Sequence, residues 1–225
     1  MTTNIFRYFF DPIVVKIQED EDVWTLTPHG QALGNGMAKS PHIFAGKSIV
    51  EIGTGCGAHA IAAVKLGAQY IDVTDINKSI LEVAAQNAER NGVSFRHAVH
   101  HDWMNFEPIQ KYDTLLCNPP FCKSGMSDRR FFIKKMIAEA SRFIKFGGHL
   151  IFCQSSMANF TQTELELKAA GFIYTNPYIS RGIFRDYYFT EPNFIEESRE
   201  VPNGFDEIDG VYIETLKVFL CTLSG

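Results

Sequence analysis

The chain has 225 residues, and its 21 basic against 26 acidic side chains give a net charge of −5. With 45% hydrophobic and 13% aromatic residues, the composition is typical of a globular protein with a sizeable core, and it excludes a disordered chain. No stretch approaches the about 18 consecutive apolar residues of a membrane-spanning helix. The N-terminus has the pattern of neither a signal peptide nor a transit peptide, so we expect a cytoplasmic protein without a membrane partner.

Short apolar runs alternate along the chain with segments of helical periodicity. The runs have the length and composition of strands and span residues 48–52, 70–74, 94–99, 112–117, 149–153, 172–174 and 215–223. The helical segments span residues 58–66, 78–90, 130–146 and 161–170. Asn77 is a good N-cap for the second helix, and Asn91-Gly92 a good stop. This alternation predicts an α/β fold: a doubly wound, mostly parallel, seven-stranded sheet with helices on both faces.

We expect residues 1–225 to form a single domain. Residues 1–46 would be an N-terminal extension of that domain. Residues 178–210 are rich in Arg, Glu, Pro and aromatic side chains, and they would form an insertion that either contacts the substrate or is solvated.

A glycine-rich turn, Glu51-Ile-Gly-Thr-Gly-Cys-Gly57, connects the first strong strand to the first predicted helix. Glycine is needed where φ is positive or where a ligand approaches the backbone, and the helix N-terminus favours an anion. Asp75 ends the next strand, where a carboxylate would bind the two hydroxyls of a ribose. From these residues alone, two enzyme classes fit. Gly53-x-Gly55-x-x-Ala58 matches a nicotinamide-dependent oxidoreductase, whereas Glu51 two residues before the first glycine matches a methyltransferase.

A second motif, Asn118-Pro119-Pro120-Phe121, follows the strand that ends at residue 117. In an open α/β sheet, ligands bind beyond the carboxyl ends of the strands, so this corner should share a crevice with the glycine turn. The two prolines stiffen the backbone and remove two N–H donors. The Asn118 side-chain oxygen and the Pro119 carbonyl could each accept one N–H of a planar NH₂ group, and Phe121 would offer a flat face to it.

In these two motifs the chain resembles class I S-adenosylmethionine-dependent methyltransferases, in particular the N-methylating group with an Asn-Pro-Pro-aromatic corner. The resemblance covers residues 47–156 well, and it implies a Rossmann-like fold and S-adenosylmethionine as cofactor. Asp75 would bind the ribose, Asp102 the adenine amino group, with Trp103 beside the ring. Asn118 would serve both the cofactor and the acceptor side. The remaining cofactor residues implied by the resemblance are Glu51, Gly53, Thr54, Gly55, Cys56 and Gly57, and the catalytic ones are Asn118, Pro119, Pro120 and Phe121.

The resemblance implies a macromolecular methyl acceptor, either protein or RNA. Asp102-Trp103 ahead of the corner is most similar to protein-glutamine N5-methyltransferases of the release-factor type, and the net acidity also favours a protein. Phe121 favours the RNA methyltransferases that act on adenine-N6 or guanine-N2, because glutamine enzymes more often have Tyr there. The chain ahead of the glycine turn is too short for the helical N-terminal domain of the glutamine enzymes, and the segment from Thr27 to Gln31 departs from their pattern.

No metal site is expected. His100 and His101 are adjacent on a predicted strand and point to opposite faces, so they could not easily bind one ion together. His29, beside Pro28, is expected in a loop without a catalytic role.

Overall fold

A computed structural model describes residues 4–18, 26–102, 107–108, 110–121 and 129–225. The strands of its main sheet are β3 (Ser48–Ile52), β4 (Tyr70–Asp75), β5 (His97–His100), β6 (Tyr112–Cys117), β7 (Ile144–Ser155), β8 (Phe172–Ile183), β9 (Asp206–Ile208) and β10 (Val211–Leu223). They follow the order β5-β4-β3-β6-β7-β10-β8, and β9 pairs with β10 at one end. All pairings from β5 through β7 are parallel, whereas β10 runs antiparallel to β7, β8 and β9.

Helices cover both faces of this sheet, as the alternating pattern predicts. One face packs against α1 (Pro28–Ala38), α2 (Ala58–Lys65) and α3 (Lys78–Arg90), and the other against α4 (Phe131–Phe143) and α5 (Phe160–Ala169). Asn77 caps α3 by accepting the Ser79 N–H, and the helix ends at Arg90, with Asn91 as its C-cap before Gly92, as predicted. The doubly wound, mostly parallel sheet is thus confirmed. Among the described residues, no helix is long and apolar enough to cross a membrane.

The observed strand boundaries differ from the predicted ones in β5, β7, β8 and β10, and the short strand β9, which makes the sheet eight-stranded, was not predicted. Strand β7 begins at Ile144, inside the segment predicted as helix, because Ile144 already pairs with Tyr112 of β6. Strand β8 runs on to Ile183, far beyond the predicted residues 172–174, because the long β10 pairs with it along most of its length.

The N-terminal segment forms a hairpin and a helix that pack directly on the sheet. Strands β1 (Ile5–Phe10) and β2 (Ile13–Gln18) pair antiparallel. Helix α1 follows, capped by Thr27, so the prediction of a loop at His29 is wrong: this residue lies in the first turn of the helix. The sequence does not predict this helix, because glycine is a poor helix former. The glycines are present because they occupy positions of close contact. A Cβ on Gly34 would lie 2.3 Å from the Phe10 ring, and one on Gly36 would lie 2.7 Å from Val218.

Residues 184–205 fold into two short helices beside the carboxyl edge of the sheet. These are α6 (Asp186–Thr190) and α7 (Phe194–Arg199). Phe184, Tyr188 and Phe194 form a buried aromatic cluster with Met157. The segment is therefore packed against the sheet edge.

Candidate active site

The glycine-rich turn and the Asn-Pro-Pro corner begin side by side. In the parallel pair of β3 and β6, Ile52 pairs with Cys117, so Gly53 and Asn118 are the next residues of neighbouring strands. Neighbouring strands lie about 4.8 Å apart. The order of the sheet also reverses between β3 and β6, which is where ligands bind in such sheets. The two motifs that the sequence singles out thus meet at one edge.

The three glycines of the turn all have positive φ, but they face different surroundings. No described atom lies within 4 Å of a Cβ built on Gly53 or Gly55, whose φ values are +66° and +54°. A Cβ on Gly57, with φ +82°, would lie 3.2 Å from Ala84 of α3. The first two glycines therefore keep a surface accessible to a ligand, and the third lets α2 and α3 pack closely.

Glu51 lies behind the turn, 1% exposed, and holds it in place. Thr54 Oγ1 donates to Glu51 Oε2 at 2.5 Å, and His59 Nδ1 of α2 is 3.6 Å from Glu51 Oε1. On its other side, His59 Nε2 donates to the Gly30 carbonyl of α1 at 2.8 Å. Glu51 thereby connects the turn to the N-termini of α1 and α2. Cys56, in the same turn, is buried.

Asp75 ends β4 and faces the turn. Its Oδ2 accepts from the Gly55 N–H at 3.1 Å, and its Oδ1 accepts from the Asn77 N–H at 3.0 Å. Each carboxylate oxygen has a second lone pair for a ligand hydroxyl. Asp102, which follows β5, lies near Asp75, because the N–H of the preceding residue, His101, donates to the Asp75 carbonyl at 3.0 Å. Trp103 lies outside the described residues, so its predicted place beside the adenine ring stays a prediction.

Asn118 is the most informative residue of the corner. Its Oδ1 is buried and has no hydrogen-bond partner among the residues that the structure describes. Pro119 behind it is buried and Pro120 is exposed. A buried amide oxygen without a partner costs about 1–3 kcal/mol of folding free energy, so it indicates an atom that a ligand would satisfy.

Phe121 connects the corner to residues 184–205. Its half-buried ring meets the Phe194 ring of α7 edge to face, with the centroids 5.9 Å apart. Arg129 holds α7 from the other side: it lies over the Phe194 ring, 5.1 Å from the centroid, and its Nη1 is 3.3 Å from Glu191 Oε1. Residues 184–205 therefore contact the corner directly.

Two buried titratable residues of this edge were not predicted as site residues: His29, which was expected in a loop without a catalytic role, and Glu214. His29 Nε2, in the first turn of α1, lies 3.6 Å from Glu214 Oε2 of β10. Burial, and secondarily the charge of Arg185, lowers the pKa of His29 to about 4, while burial raises the pKa of Glu214 to about 7. No sequence signal could have found this pair, because only the tertiary fold brings the two residues together.

The histidines considered for a metal have separate partners. His97 Nδ1 lies 3.1 Å from Asp72 Oδ1, and His100 Nε2 donates to the Ile76 carbonyl at 2.9 Å. The ring of His101 donates to the Asp102 carbonyl at 2.8 Å.

Both the sequence and the fold of the chain are similar to those of known proteins. Residues 31–199 match the model of the family described as methyltransferase small domain. A protein of Methanocaldococcus jannaschii, provisionally named a protein N5-glutamine methyltransferase, is 31% identical over 56% of this chain and 71% of its own length. A tRNA1(Val) adenine-N6 methyltransferase of Vibrio campbellii is 34% identical over 36% of this chain and 35% of its own length.

Among solved structures, the T. Thermophilus 16S rRNA guanine-N2 methyltransferase, in complex with AdoMet and guanosine, has a TM-score of 0.68 at 14% identity. The match covers 100% of this chain and 52% of that one, and at this identity it is a likeness of fold.

Proposed function

Since the chain belongs to the methyltransferase small domain family of S-adenosylmethionine-dependent methyltransferases, we propose that it methylates a planar NH₂ group. The preferred acceptor is the side-chain amide of a glutamine in a protein. The single observation that carries this proposal is the buried, unpartnered Asn118 Oδ1 (within the described part of the chain) next to the glycine turn.

The residues of β3 and β4 fit the cofactor. The surface over Gly53 and Gly55 admits a ligand, and Asp75 has lone pairs for two ribose hydroxyls. Asp102, beyond β5, would receive the adenine amino group. S-adenosylmethionine supplies a methyl group that is already activated on a sulfonium. Family membership also favours methyl transfer over the nicotinamide chemistry that the glycine pattern alone would allow.

The corner supplies the acceptor side of the reaction. Asn118 Oδ1 and the Pro119 carbonyl would each accept one N–H of the amide, which directs the nitrogen lone pair toward the methyl carbon. Phe121 would pack on the planar group. Such orientation is the main contribution of these residues, because well-positioned reactants gain roughly 7–11 kcal/mol of activation free energy.

We further propose that residues 1–225 act as one domain and that residues 178–210 form a wall of the acceptor site. The contact between Phe121 and Phe194 supports this, as does the packing of Tyr188 and Phe194 in one buried cluster. In this arrangement residues 184–205 help to select the acceptor.

A second candidate acceptor is a nucleobase amine of RNA, at adenine-N6 or guanine-N2. Phe121 favours this reading, because it offers an apolar face without a hydroxyl. The sequence likeness to the adenine-N6 enzyme of Vibrio campbellii supports it as well.

Labelled methyl transfer into a cell extract tests the proposal and separates the two acceptors. The protein is incubated with methyl-labelled S-adenosylmethionine and extract, with and without ribonuclease. Label that stays with protein after ribonuclease treatment supports the glutamine acceptor, and label lost with the RNA supports the nucleobase. Absence of transfer to either fraction would contradict the proposed function.

A further inference from the structure

A fully buried asparagine, Asn87, joins the glycine turn to the hairpin of β1 and β2. It lies in the interior of α3 and is 0% exposed. Asn87 Nδ2 donates to the Cys56 carbonyl of the turn at 3.1 Å and to the Gln18 carbonyl of β2 at 3.3 Å. Asn87 Oδ1 accepts the Gln18 N–H at 2.8 Å. Asparagine is a poor helix former and is seldom fully buried, so these contacts explain its presence in the helix.

A second asparagine, one turn further along the chain at the end of α3, binds β2 in the same way. Asn91 Oδ1 accepts the Lys16 N–H at 3.0 Å, and Asn91 Nδ2 donates to the Lys16 carbonyl at 2.6 Å. Residues four apart on a helix are separated by about 6 Å along its axis, and residues two apart on a strand by about 7 Å. The amides of Asn87 and Asn91 therefore match the backbone groups of Gln18 and Lys16, and they take the place of a neighbouring strand along this edge of β2.

Among the described contacts, Asn87 rather than Asn91 reaches the glycine turn, and it does so beside a close steric contact. A Cβ on Gly57 would lie 3.2 Å from Ala84, which is one turn before Asn87 on α3. Helix α3 thus contacts the turn by close packing at Gly57 and by a hydrogen bond at Cys56. The hydrogen bond comes from the same side-chain amide that binds the hairpin.

We propose that Asn87 is a positioning residue for the cofactor: it fixes the Cys56 carbonyl, and with it the backbone of the glycine turn, in the conformation that binds S-adenosylmethionine. Since the same amide binds both backbone groups of Gln18, docking of the hairpin and binding of the cofactor are coupled. By linkage, the factor by which the docked hairpin raises the affinity for the cofactor equals the factor by which the cofactor stabilises docking. This role concerns the cofactor and is the same for either acceptor.

The test compares Asn87→Ala with the matched control Asn91→Ala. Each substitution removes an amide that binds one residue of β2, so each should lower the urea midpoint of the ligand-free protein. Calorimetry with S-adenosylhomocysteine should show about tenfold weaker binding to Asn87→Ala, because the turn loses its hydrogen bond at Cys56. Asn91→Ala should bind this compound like the wild type, because Asn87 keeps the hairpin docked. Equal affinities of the two variants would overturn the inference.

Amide hydrogen exchange tests the coupling, and the wild type alone decides it if Asn87→Ala fails to fold. The Gln18 N–H bonds to Asn87 Oδ1, so its exchange rate reports on the opening of this contact. Saturation with S-adenosylhomocysteine should slow this exchange by about tenfold in the wild type and leave it unchanged in Asn87→Ala. A purely structural contact between α3 and β2 would leave the wild-type rate unchanged as well, and that result would contradict the coupling.

Transfer of labelled methyl groups by the wild type separates this inference from the proposed function. If Asn87→Ala binds S-adenosylhomocysteine more weakly than Asn91→Ala while the wild type transfers no label, the proposed function fails and the inference stands. If the wild type transfers label while the two variants bind the compound equally well, the proposed function stands and the inference fails. A wild-type protein that does not bind the compound would contradict both.

Discussion

At the scale of single residues, substitution of Asn118 should lower turnover far more than it lowers the affinity for the cofactor. Its Oδ1 is buried without a partner among the described residues, whereas most of the proposed cofactor contacts come from the turn, Asp75 and Asp102. We expect Asn118→Ala to lower kcat by about 10²-fold, the magnitude typical of losing one aligned polar contact in a transition state. Single-turnover methyl transfer and calorimetry with S-adenosylhomocysteine measure the two effects. Unchanged turnover would show that the corner is only structural.

The glycines of the turn allow a matched comparison. Gly53→Ala and Gly57→Ala both place a Cβ at a positive φ, which costs about 1 kcal/mol of folding free energy in each. Of these two Cβ atoms, only the one at position 53 has no described atom within 4 Å, and it lies at the proposed cofactor surface. Gly53→Ala should therefore weaken binding of S-adenosylhomocysteine strongly. Gly57→Ala, whose Cβ approaches Ala84, should mainly lower the melting temperature. Equal effects of the two variants on affinity would contradict this assignment.

The buried pair of His29 and Glu214 predicts opposing pH dependences of stability. The pKa of Glu214 is raised from 4.5 to about 7, so its stabilising contribution is complete below about pH 4.5 and is lost as the pH rises through 7. The pKa of His29 is lowered from 6.5 to about 4, so its contribution is complete above about pH 6.5 and is lost as the pH falls through 4.

Each of these two pKa shifts, in Glu214 and in His29, corresponds to at most about 3 kcal/mol of unfolding free energy. Relative to the wild type, Glu214→Gln should therefore gain stability as the pH rises from about 4.5 to about 7. Relative to the wild type, His29→Gln should lose stability as the pH rises from about 4 to about 6.5. Urea unfolding at several pH values measures both differences. Differences that stay constant with pH would show that neither group is perturbed.

At the scale of elements, α1 is stabilised by tertiary contacts, although the glycines in its sequence disfavour a helix. Gly36 lies so close to Val218 of β10 that an added Cβ would be 2.7 Å from Val218 Cγ1. Gly36→Ala improves helix propensity by about 1 kcal/mol, but overpacking costs about 1–3 kcal/mol, so we expect a net loss of stability. Denaturant unfolding of Gly36→Ala, Val218→Ala and the double variant measures it. The double variant should recover part of the loss, and a Gly36→Ala protein more stable than the wild type would contradict the close packing.

The same helix shows where sequence-based prediction ends. Helix α3 and its ends were predicted because Asn77 and Asn91-Gly92 are local signals. Helix α1 was missed because its glycines serve contacts with Phe10 and Val218, which are distant in the sequence. Similarly, β8 was predicted too short because its length depends on pairing with β10.

At the scale of the whole molecule, the order of the sheet determines what the sequence could reveal about the site. Motifs that follow parallel strands must meet at one edge, so the shared position of Gly53 and Asn118 was predictable from their strands alone. The antiparallel strand β10 brings Glu214 to that edge from the opposite direction, and α1 brings His29 across the sheet face. No pattern in the sequence marks those two residues, since both depend on the tertiary fold.

The central claim is that one cleft at this edge binds S-adenosylmethionine beside the Asn118 corner. The most direct measurement is a calorimetric titration of the wild-type protein with S-adenosylmethionine and S-adenosylhomocysteine, repeated with Gly53→Ala. We predict that both compounds bind the wild type at one site and that Gly53→Ala weakens both. Failure of either compound to bind the wild type at millimolar concentration would contradict the account.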